Sequence, residues 1–211
     1  MACTVLITGF GPFPGAPFNP TAALVRRLAV RRRPALAEVV RVAHVFATRY
    51  AAVDAELPDL VARHRPDVLL MFGLAARTPF LRIEVRARNA VSRLAPDASG
   101  RVRPTAGIQP GGPAALAGRA PFRRLLRAAR VARVPARLSR DAGAYLCNYA
   151  YWHGSEAACG NRPIPLVVFV HVPRVRRAAA ARKTKRALTE GDLARAGEAI
   201  LVALVSAARF P

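Results

Sequence analysis

Residues 164–173, IPLVVFVHVP, decide the fold of this chain. Every residue from Leu166 to Val170 is apolar, so the segment lacks the alternation that would leave one face in water. A short apolar run rich in β-branched residues and bounded by prolines is typical of a strand covered on both faces. Residues 3–10 (CTVLITGF) and 66–73 (PDVLLMFG) have the same character. The sequence therefore predicts several buried, parallel strands.

Helical patterns separate these strands. Residues 19–33 predict a helix with Asn19 as N-cap and Pro20 at its first position. The last helix is predicted over 189–209, with Thr189 and Asp192 in capping-box positions. A helix over 48–64 contains Pro58, which we expect to bend or break it. Further helices are expected within 112–131 and around Cys147. Weaker strand patterns cover residues 38–46, 80–91 and 134–139.

This alternation predicts the α/β class: one domain over residues 1–211, with a mostly parallel twisted sheet and helices on both faces. No apolar run approaches the roughly 18 residues that span a membrane. The N-terminus lacks the charge and cleavage pattern of a signal peptide. The cysteines Cys3, Cys147 and Cys159 have no zinc-ligand spacing, which favours a reducing cytoplasm and no metal or other cofactor.

The net charge of +22 raises the question of nucleic-acid binding. All but two of the 34 basic residues are arginine, alanine is abundant, and the basic residues are spread along the chain. A GC-rich coding sequence produces this composition whatever the function. The charge therefore predicts non-specific affinity for polyanions rather than specific nucleic-acid recognition.

Three stretches that could carry chemistry should meet at one edge of the sheet, because ligands bind beyond the carboxyl ends of parallel strands. Residues 9–13 (GFGPF) follow the first strand, His171 ends the strand at 166–172, and Cys147 lies in the helix after residues 134–139. A thiol in the first turn of a helix is stabilised as thiolate, and a histidine within reach serves as its base. We expect Phe10 and Phe13 to be exposed in the loop and to form a slot for a small flat ligand.

Each of these residues also has a structural interpretation. Cys147 could be a small buried apolar residue, and His171 a hydrogen-bonded core histidine. Phe10 and Phe13 could instead pack their loop onto the sheet. His44 is a second histidine that could line a pocket. Glu84 stands out because the chain has only 12 acidic residues, yet it could simply form an ion pair with one of three neighbours, Arg82, Arg86 or Arg88.

Five segments together resemble the pyroglutamyl peptidase I family, also called pyrrolidone-carboxylate peptidase. Residues 5–28 resemble the family's glycine- and phenylalanine-rich opening, and DAGAYLCNY (141–149) resembles its nucleophile segment. VVFVHVP (167–173) resembles its histidine segment, and residues 73–100 parallel the stretch that holds its glutamate. PGGPAAL (110–116) also fits, in the same order along the chain.

The resemblance implies a cysteine exopeptidase that removes an N-terminal pyroglutamyl residue from peptides. It assigns Cys147 as nucleophile, His171 as base and Glu84 as the group that orients the imidazole. It places Phe10 and Phe13 around the lactam ring. It also implies a homo-oligomer, since the family is often tetrameric. Further site positions that it assigns are Asn19, Tyr145 and Leu146 in the substrate pocket, and Arg93 as support for the thiolate or oxyanion.

Several pocket positions depart from the family pattern. Leu74 stands where a glutamine is common, Ala76-Arg77-Thr78 departs from a Gly-Gly-Arg segment, and His44 replaces a small residue. Two outcomes stay open. The chain is a working pyroglutamyl peptidase, or it is a divergent relative that acts on another small lactam or amide, has weak activity, or serves as a binding protein.

Overall fold

The computed structural model describes residues 2–13, 15–159, 163–176 and 187–210. Six strands form the main sheet in the order β2-β1-β3-β8-β4-β7. Their bounds are β1 Cys3–Phe10, β2 Val39–Phe46, β3 Val68–Leu74, β4 Leu81–Glu84, β7 Ala136–Ser139 and β8 Leu166–Val172. Two short strands, β5 (Arg86–Arg88) and β6 (Ala115–Ala117), form a separate antiparallel ribbon.

Five α-helices are described, together with a 3-10 turn at Pro34–Leu36. The helices are α1 Pro20–Ala29, α2 Tyr50–His64, α3 Phe122–Val131, α4 Leu146–Ala157 and α5 Glu190–Arg209. The predicted caps of the first and last helices are confirmed: Asn19 Oδ1 accepts from Thr21 N, and Thr189 and Asp192 form the full capping box. None of the helices in the described ranges is long and apolar enough to cross a membrane.

The sheet is covered on both faces, as predicted. Alternate residues of β1, β3 and β8, such as Ile7, Phe72 and Val170, pack against α1, α3 and α5. The intervening residues, such as Leu6, Met71 and Phe169, pack against α2 and α4. Because side chains alternate across a strand, each of these strands supplies both cores at once. The predicted α/β fold with a mostly parallel sheet is confirmed.

The predicted half-exposed strand over 80–91 is wrong as a single element. It divides into β4 and β5, which belong to different sheets. β4 pairs antiparallel with β8 and parallel with β7, whereas β5 pairs with β6, a strand that the sequence did not predict. The chain therefore leaves the main sheet at Val85, where the backbone N–H still donates to the Ser139 carbonyl.

Pro58 does not break α2, which was one of the two outcomes expected from the sequence. The helix runs without interruption from Tyr50 to His64. Pro58 itself is exposed, so the carbonyl one turn earlier, which loses its donor, can be hydrated. Val53 and Leu57 before the proline and Leu60 after it are all buried in one core, which holds both halves in line.

Candidate active site

The Glu84–His171 pair lies on the sheet face that α2 and α4 cover. His171 Nδ1 lies 2.8 Å from Glu84 Oε1, and both side chains are buried. The pair forms because β4 runs antiparallel to β8: Arg82 stands opposite His171, and Glu84 stands opposite Phe169. Glu84 therefore contacts His171 diagonally across the two strands, since its own partner in the register, Phe169, lies two residues before His171 on β8. A carboxylate on Nδ1 fixes the imidazole ring and leaves Nε2 for another partner.

Cys147 occupies the second position of α4, with Tyr145 as the N-cap residue. Its thiol is a hydrogen-bond partner of His171. The sulfur packs directly over β3 at Gly73, where an added Cβ would lie only 2.6 Å from Sγ. Gly73 pairs with His171 in the β3–β8 register, so the missing side chain makes room for the thiol beside the imidazole. The candidate nucleophile, the candidate base and the carboxylate thus share one face of the sheet.

The environment of His171 favours the imidazolium. Burial lowers the pKa of the ring, but hydrogen bonds and charge interactions with Cys147 and Glu84 outweigh it and raise the pKa to about 9. Near neutral pH the ring therefore carries a proton beside the thiol. An imidazolium and a helix N-terminus beside a thiol are the surroundings in which reactive cysteines are found.

Asn148 fixes the start of α4 to the β5 ribbon. Its Oδ1 accepts from Arg88 N at 2.8 Å, and its Nδ2 donates to the carbonyls of Arg88 and Ala90, each at 2.8 Å. The side chain is fully buried, so these three bonds satisfy its amide. The residue after the candidate nucleophile therefore sets where the helix begins relative to the sheet.

Glu84 also forms an ion pair with Arg82, which was one of the structural interpretations of this carboxylate. Arg82 Nε lies 3.1 Å from Oε1, the oxygen that contacts His171. Arg82 Nη2 donates to Ser139 Oγ at 3.0 Å and to the carbonyl of Asp141. Glu84 Oε2 is buried without a hydrogen-bond partner among the described residues. Glu84 therefore contacts His171 and Arg82 through the same oxygen.

The predicted aromatic slot needs one correction. Phe10 is not exposed in a loop: it ends β1, is 3% exposed, and packs against Phe46 with ring centroids 5.8 Å apart. The reason is that Phe10 continues the apolar face of β1 into the core shared with α2. Phe13 does lie in the loop and is half-buried, with its ring centroid 6.4 Å from that of Tyr145.

The other predicted site residues are placed as follows. Asn19 caps α1, and its Nδ2 donates to the Gly11 carbonyl at 3.1 Å, which ties the helix to the glycine-rich loop. Tyr145 donates to the Pro96 carbonyl at 2.9 Å, and Leu146 is buried in the core below it. Arg93 is exposed and makes no hydrogen bond or ion pair with the part of the chain that the structure describes.

Two of the remaining histidines lie in other pairs. His44 Nε2 contacts Glu56 at 2.6 Å, and His153 Nδ1 contacts Glu156 at 2.7 Å. Within the described ranges, no group of three or more His, Cys, Asp or Glu side chains is placed to hold a metal ion. A cavity of about 1030 Å³ lies between α2, the end of α4 and residues 163–165, and Cys147, His171 and Glu84 do not line it. We therefore assign the chemistry by residue contacts and not by cavity size.

Sequence reasoning missed Gly73 and Asn148 as parts of this site. Gly73 ends an apolar run that reads as an ordinary buried strand, and only the crossing of α4 shows why a side chain is excluded there. Asn148 directly follows Cys147 in the first turn of α4. A polar residue at that position, among apolar neighbours, was the sequence signal that could have identified it.

Comparison with known proteins agrees with this geometry. The family model for pyroglutamyl peptidase matches residues 3–209. Pyrrolidone-carboxylate peptidase from Gloeobacter violaceus is 32% identical over 169 residues, covering 80% of each chain. The protein of that name from Thermococcus onnurineus is 33% identical over 177 residues, covering 80% of this chain and 82% of the relative.

Solved structures give the same result. Pyroglutamyl peptidase I of Bacillus amyloliquefaciens superimposes with a TM-score of 0.84 at 25% identity, covering 97% of both chains. A mutant pyrrolidone carboxyl peptidase of Pyrococcus furiosus gives 0.86 at 23% identity, covering 97% of this chain and 99% of the other, which supports the fold alone. The resemblance drawn from the sequence is confirmed, and this chain belongs to the pyroglutamyl peptidase family.

Proposed function

We propose that this chain is a cysteine exopeptidase that hydrolyses the amide bond after an N-terminal pyroglutamyl residue. The observation that carries the proposal is the contact series Glu84–His171–Cys147 on one buried sheet face, in a chain of the pyroglutamyl peptidase family. A thiol, a base and a group that orients the base are the parts that acyl transfer through a covalent intermediate needs.

In the proposed reaction the Cys147 thiolate attacks the pyroglutamyl carbonyl carbon. The tetrahedral oxyanion lies at the start of α4, where the first backbone N–H groups of the helix have no partner within it. The His171 imidazolium then gives its proton to the leaving amine, and the C–N bond breaks. Water, deprotonated by His171, hydrolyses the thioester and releases pyroglutamate. Glu84 holds the ring in one orientation through both steps.

Specificity for pyroglutamate would come from the apolar mouth above Cys147. We propose that Phe13 and Tyr145 flank the lactam ring, that Phe10 and Leu146 form its base, and that Asn19 holds the loop carrying Phe13. This assignment rests on the half-exposed ring of Phe13, the burial of Phe10 and the Asn19–Gly11 bond. A flat uncharged lactam fits such a slot, whereas a free glutamate would place a charge in it. Arg93, which forms no ion pair with a described side chain, would supply positive charge for the oxyanion.

The remaining proposals concern organisation. We propose one peptidase domain over residues 1–211, a cytoplasmic location consistent with three unpaired cysteines, and no cofactor. Assembly into a homo-oligomer, a tetramer by analogy with the family, is proposed on the resemblance alone. Measuring the molecular mass in solution by small-angle X-ray scattering or analytical ultracentrifugation tests it.

The decisive experiment is release of a reporter amine from a pyroglutamyl amide. We expect turnover that iodoacetamide abolishes and that Cys147→Ser or His171→Ala removes. Cys159→Ser and His153→Ala are matched controls, because Cys159 is exposed and His153 pairs with Glu156, and both variants should keep turnover. Folded protein that turns over no pyroglutamyl substrate would exclude this function.

A second candidate is the same chemistry on another small lactam or amide. Leu74 favours it, because this apolar residue ends β3 beside Gly73 and offers no polar contact to a lactam. A panel of amides that differ only in the acyl ring distinguishes the two candidates by their relative kcat/KM. Binding to nucleic acid, the expectation from net charge, is measured against salt: sequence-blind binding that disappears at moderate salt is a consequence of the arginines.

A further inference from the structure

We propose that Arg82 is a positioning residue of this active site, which keeps Glu84 ionised and oriented toward His171 throughout the reaction. The inference rests on the proposed function, and it extends that function by a residue that stands outside the nucleophile, base and carboxylate. Arg82 lies on β4 two positions before Glu84 and directly opposite His171 on β8. Its side chain is 23% exposed, so the guanidinium lies largely within the protein.

The carboxylate of Glu84 is held through one oxygen only. Both His171 Nδ1, at 2.8 Å, and Arg82 Nε, at 3.1 Å, contact Oε1, and Oε2 has no hydrogen-bond partner in the described chain. The hydrogen bond with His171 and the ion pair with Arg82, both at Oε1, therefore determine which way the carboxylate faces. Arg82 is itself held by hydrogen bonds to Ser139 Oγ and the Asp141 carbonyl, so it links Glu84 to the end of β7. Without it, nothing described except His171 would hold the carboxylate.

The charge of Arg82 matters most when His171 is neutral. Glu84 is fully buried, and an isolated buried carboxylate is strongly disfavoured. The imidazolium compensates that charge only until it gives its proton to the leaving amine. A guanidinium does not lose its proton in proteins, so Arg82 compensates Glu84 at every stage. Arg82 thus stops Glu84 from taking the proton that the reaction moves elsewhere.

The other charged or titratable groups around the pair do not replace this contact. From α4, Cys147 faces His171, and the Tyr151 hydroxyl donates to the backbone carbonyl of Glu84 at 2.8 Å, not to its carboxylate. Beyond β7, the Asp141 carboxylate pairs with Arg88 at 2.9 Å. Besides His171 itself, the cation that the described chain places in contact with the Glu84 carboxylate is therefore Arg82.

The test compares Arg82→Gln, Arg82→Lys and a control, Arg137→Gln. Arg137 stands beside Arg82 in the β4–β7 register and stacks on Phe80 with its guanidinium carbon 4.4 Å from the ring centroid, so its loss removes one nearby charge without touching Glu84. Two quantities are followed against pH: kcat/KM on a pyroglutamyl amide, and the rate at which iodoacetamide alkylates Cys147, measured by peptide mass spectrometry with exposed Cys159 as internal reference.

In Arg82→Gln we expect kcat to fall about tenfold with little change in KM, and the acid limb of both profiles to move up by about one pH unit, because an uncompensated Glu84 protonates more readily. Arg82→Lys should restore the acid limb, and Arg137→Gln should leave it in place. Profiles of Arg82→Gln and Arg137→Gln that coincide would overturn the proposal. If Arg82→Gln does not fold, Arg82→Met replaces it as the neutral variant, and an acid limb that coincides with that of Arg137→Gln overturns the proposal equally.

The alkylation profile keeps this inference separate from the proposed function. It reports the thiol and imidazole pair whether or not any pyroglutamyl substrate is hydrolysed. A shifted alkylation profile in a protein without turnover would support the role of Arg82 and reject the substrate. An unshifted profile in an active enzyme would reject the role of Arg82 and leave the peptidase function standing.

Discussion

Replacing Gly73 with alanine tests whether catalysis depends on the position of the Cys147 sulfur above this residue. The new Cβ would lie 2.6 Å from Cys147 Sγ and 2.7 Å from Phe169 Cζ, whereas ordinary contacts begin at 3.4 Å. The sulfur or the strand must therefore move by roughly 0.8 Å. The Phe169 ring packs against His171 with centroids 4.9 Å apart, so its displacement also disturbs the base.

The size of the effect follows from this displacement. A reacting group misplaced by about 1 Å can cost about 10²-fold in rate, so we expect kcat/KM of Gly73→Ala to fall by about 10²-fold. Overpacking a core lowers the free energy of unfolding by about 1–3 kcal/mol, which leaves a folded protein in most domains of this size. The variant should therefore be folded, less stable and nearly inactive.

The assay combines reporter-amine release, alkylation of Cys147 by iodoacetamide, and thermal unfolding. Gly154→Ala is the matched control for overpacking, because its Cβ would lie 2.9 Å from Leu69 Cδ2 in the same core but away from the thiol. It should lose stability and keep its activity per folded molecule. Gly191→Ala, with its nearest neighbour at 3.5 Å, controls for the substitution itself. A folded Gly73→Ala whose kcat/KM stays within about twofold of wild type would refute the geometry.

Three further predictions concern the groups around the thiol. Activity should fall as pH rises through about 9, the pKa of His171, because the leaving amine needs its proton. This pKa is raised above the ordinary value of 6.5, so the imidazolium stabilises the fold fully below pH 6.5 and loses that contribution as pH rises to about 9. The free energy of unfolding of wild type should exceed that of His171→Gln by an amount that shrinks between these two pH values. A difference that stays constant with pH would contradict the assignment. Glu84→Gln keeps the side-chain shape but removes the charge, and kcat/KM should fall by about 10²-fold with an unfolding midpoint close to that of wild type, whereas full activity would show that the charge is not needed. Asn148→Ala leaves buried backbone groups of Arg88 and Ala90 unpaired and should cost about 1–3 kcal/mol in a denaturant titration; an unchanged midpoint would mean that water replaces the amide.

The features that the sequence predicted correctly are those set by local patterns. The apolar runs that became β3 and β8, and the caps Asn19 and Thr189, each depend on a few neighbouring residues. The direction of β4 and the existence of β6 depend on pairing with distant segments, and three- or four-residue strands carry too little pattern to show it. Pro58 does not break its helix because tertiary packing on both sides of it outweighs its local preference.

The candidate site could also be predicted only in part, because some of its features follow from the order of the strands and others from contacts between distant segments. The segments around Cys147 and His171 share the carboxyl edge of the sheet, which follows from topology alone. Two features depend on which face of the sheet each side chain points to, and the sequence does not mark where these strands end. One is the burial of Phe10, and the other is that Arg82, among three candidate arginines, is the partner of Glu84. Whether Phe10, Phe13, Asn19, Tyr145, Leu146 and Arg93 act on substrate stays a prediction for the variants above.

The reversed direction of β4 has a consequence for how this enzyme can diverge. Because β4 approaches β8 antiparallel, Glu84 and Arg82 enter from within the sheet, while Phe13, Leu74 and Arg77 lie in or beside the loops at its rim. In the proposed mechanism, proton transfer and substrate selection therefore occupy separate layers of the molecule, joined through Cys147. Substitutions in the outer layer can change which acyl group is admitted and leave the inner layer intact. The resemblance of the segments around Cys147, His171 and Glu84 to the family, beside the departures at Leu74 and Ala76-Arg77-Thr78, is the pattern that such layering would allow.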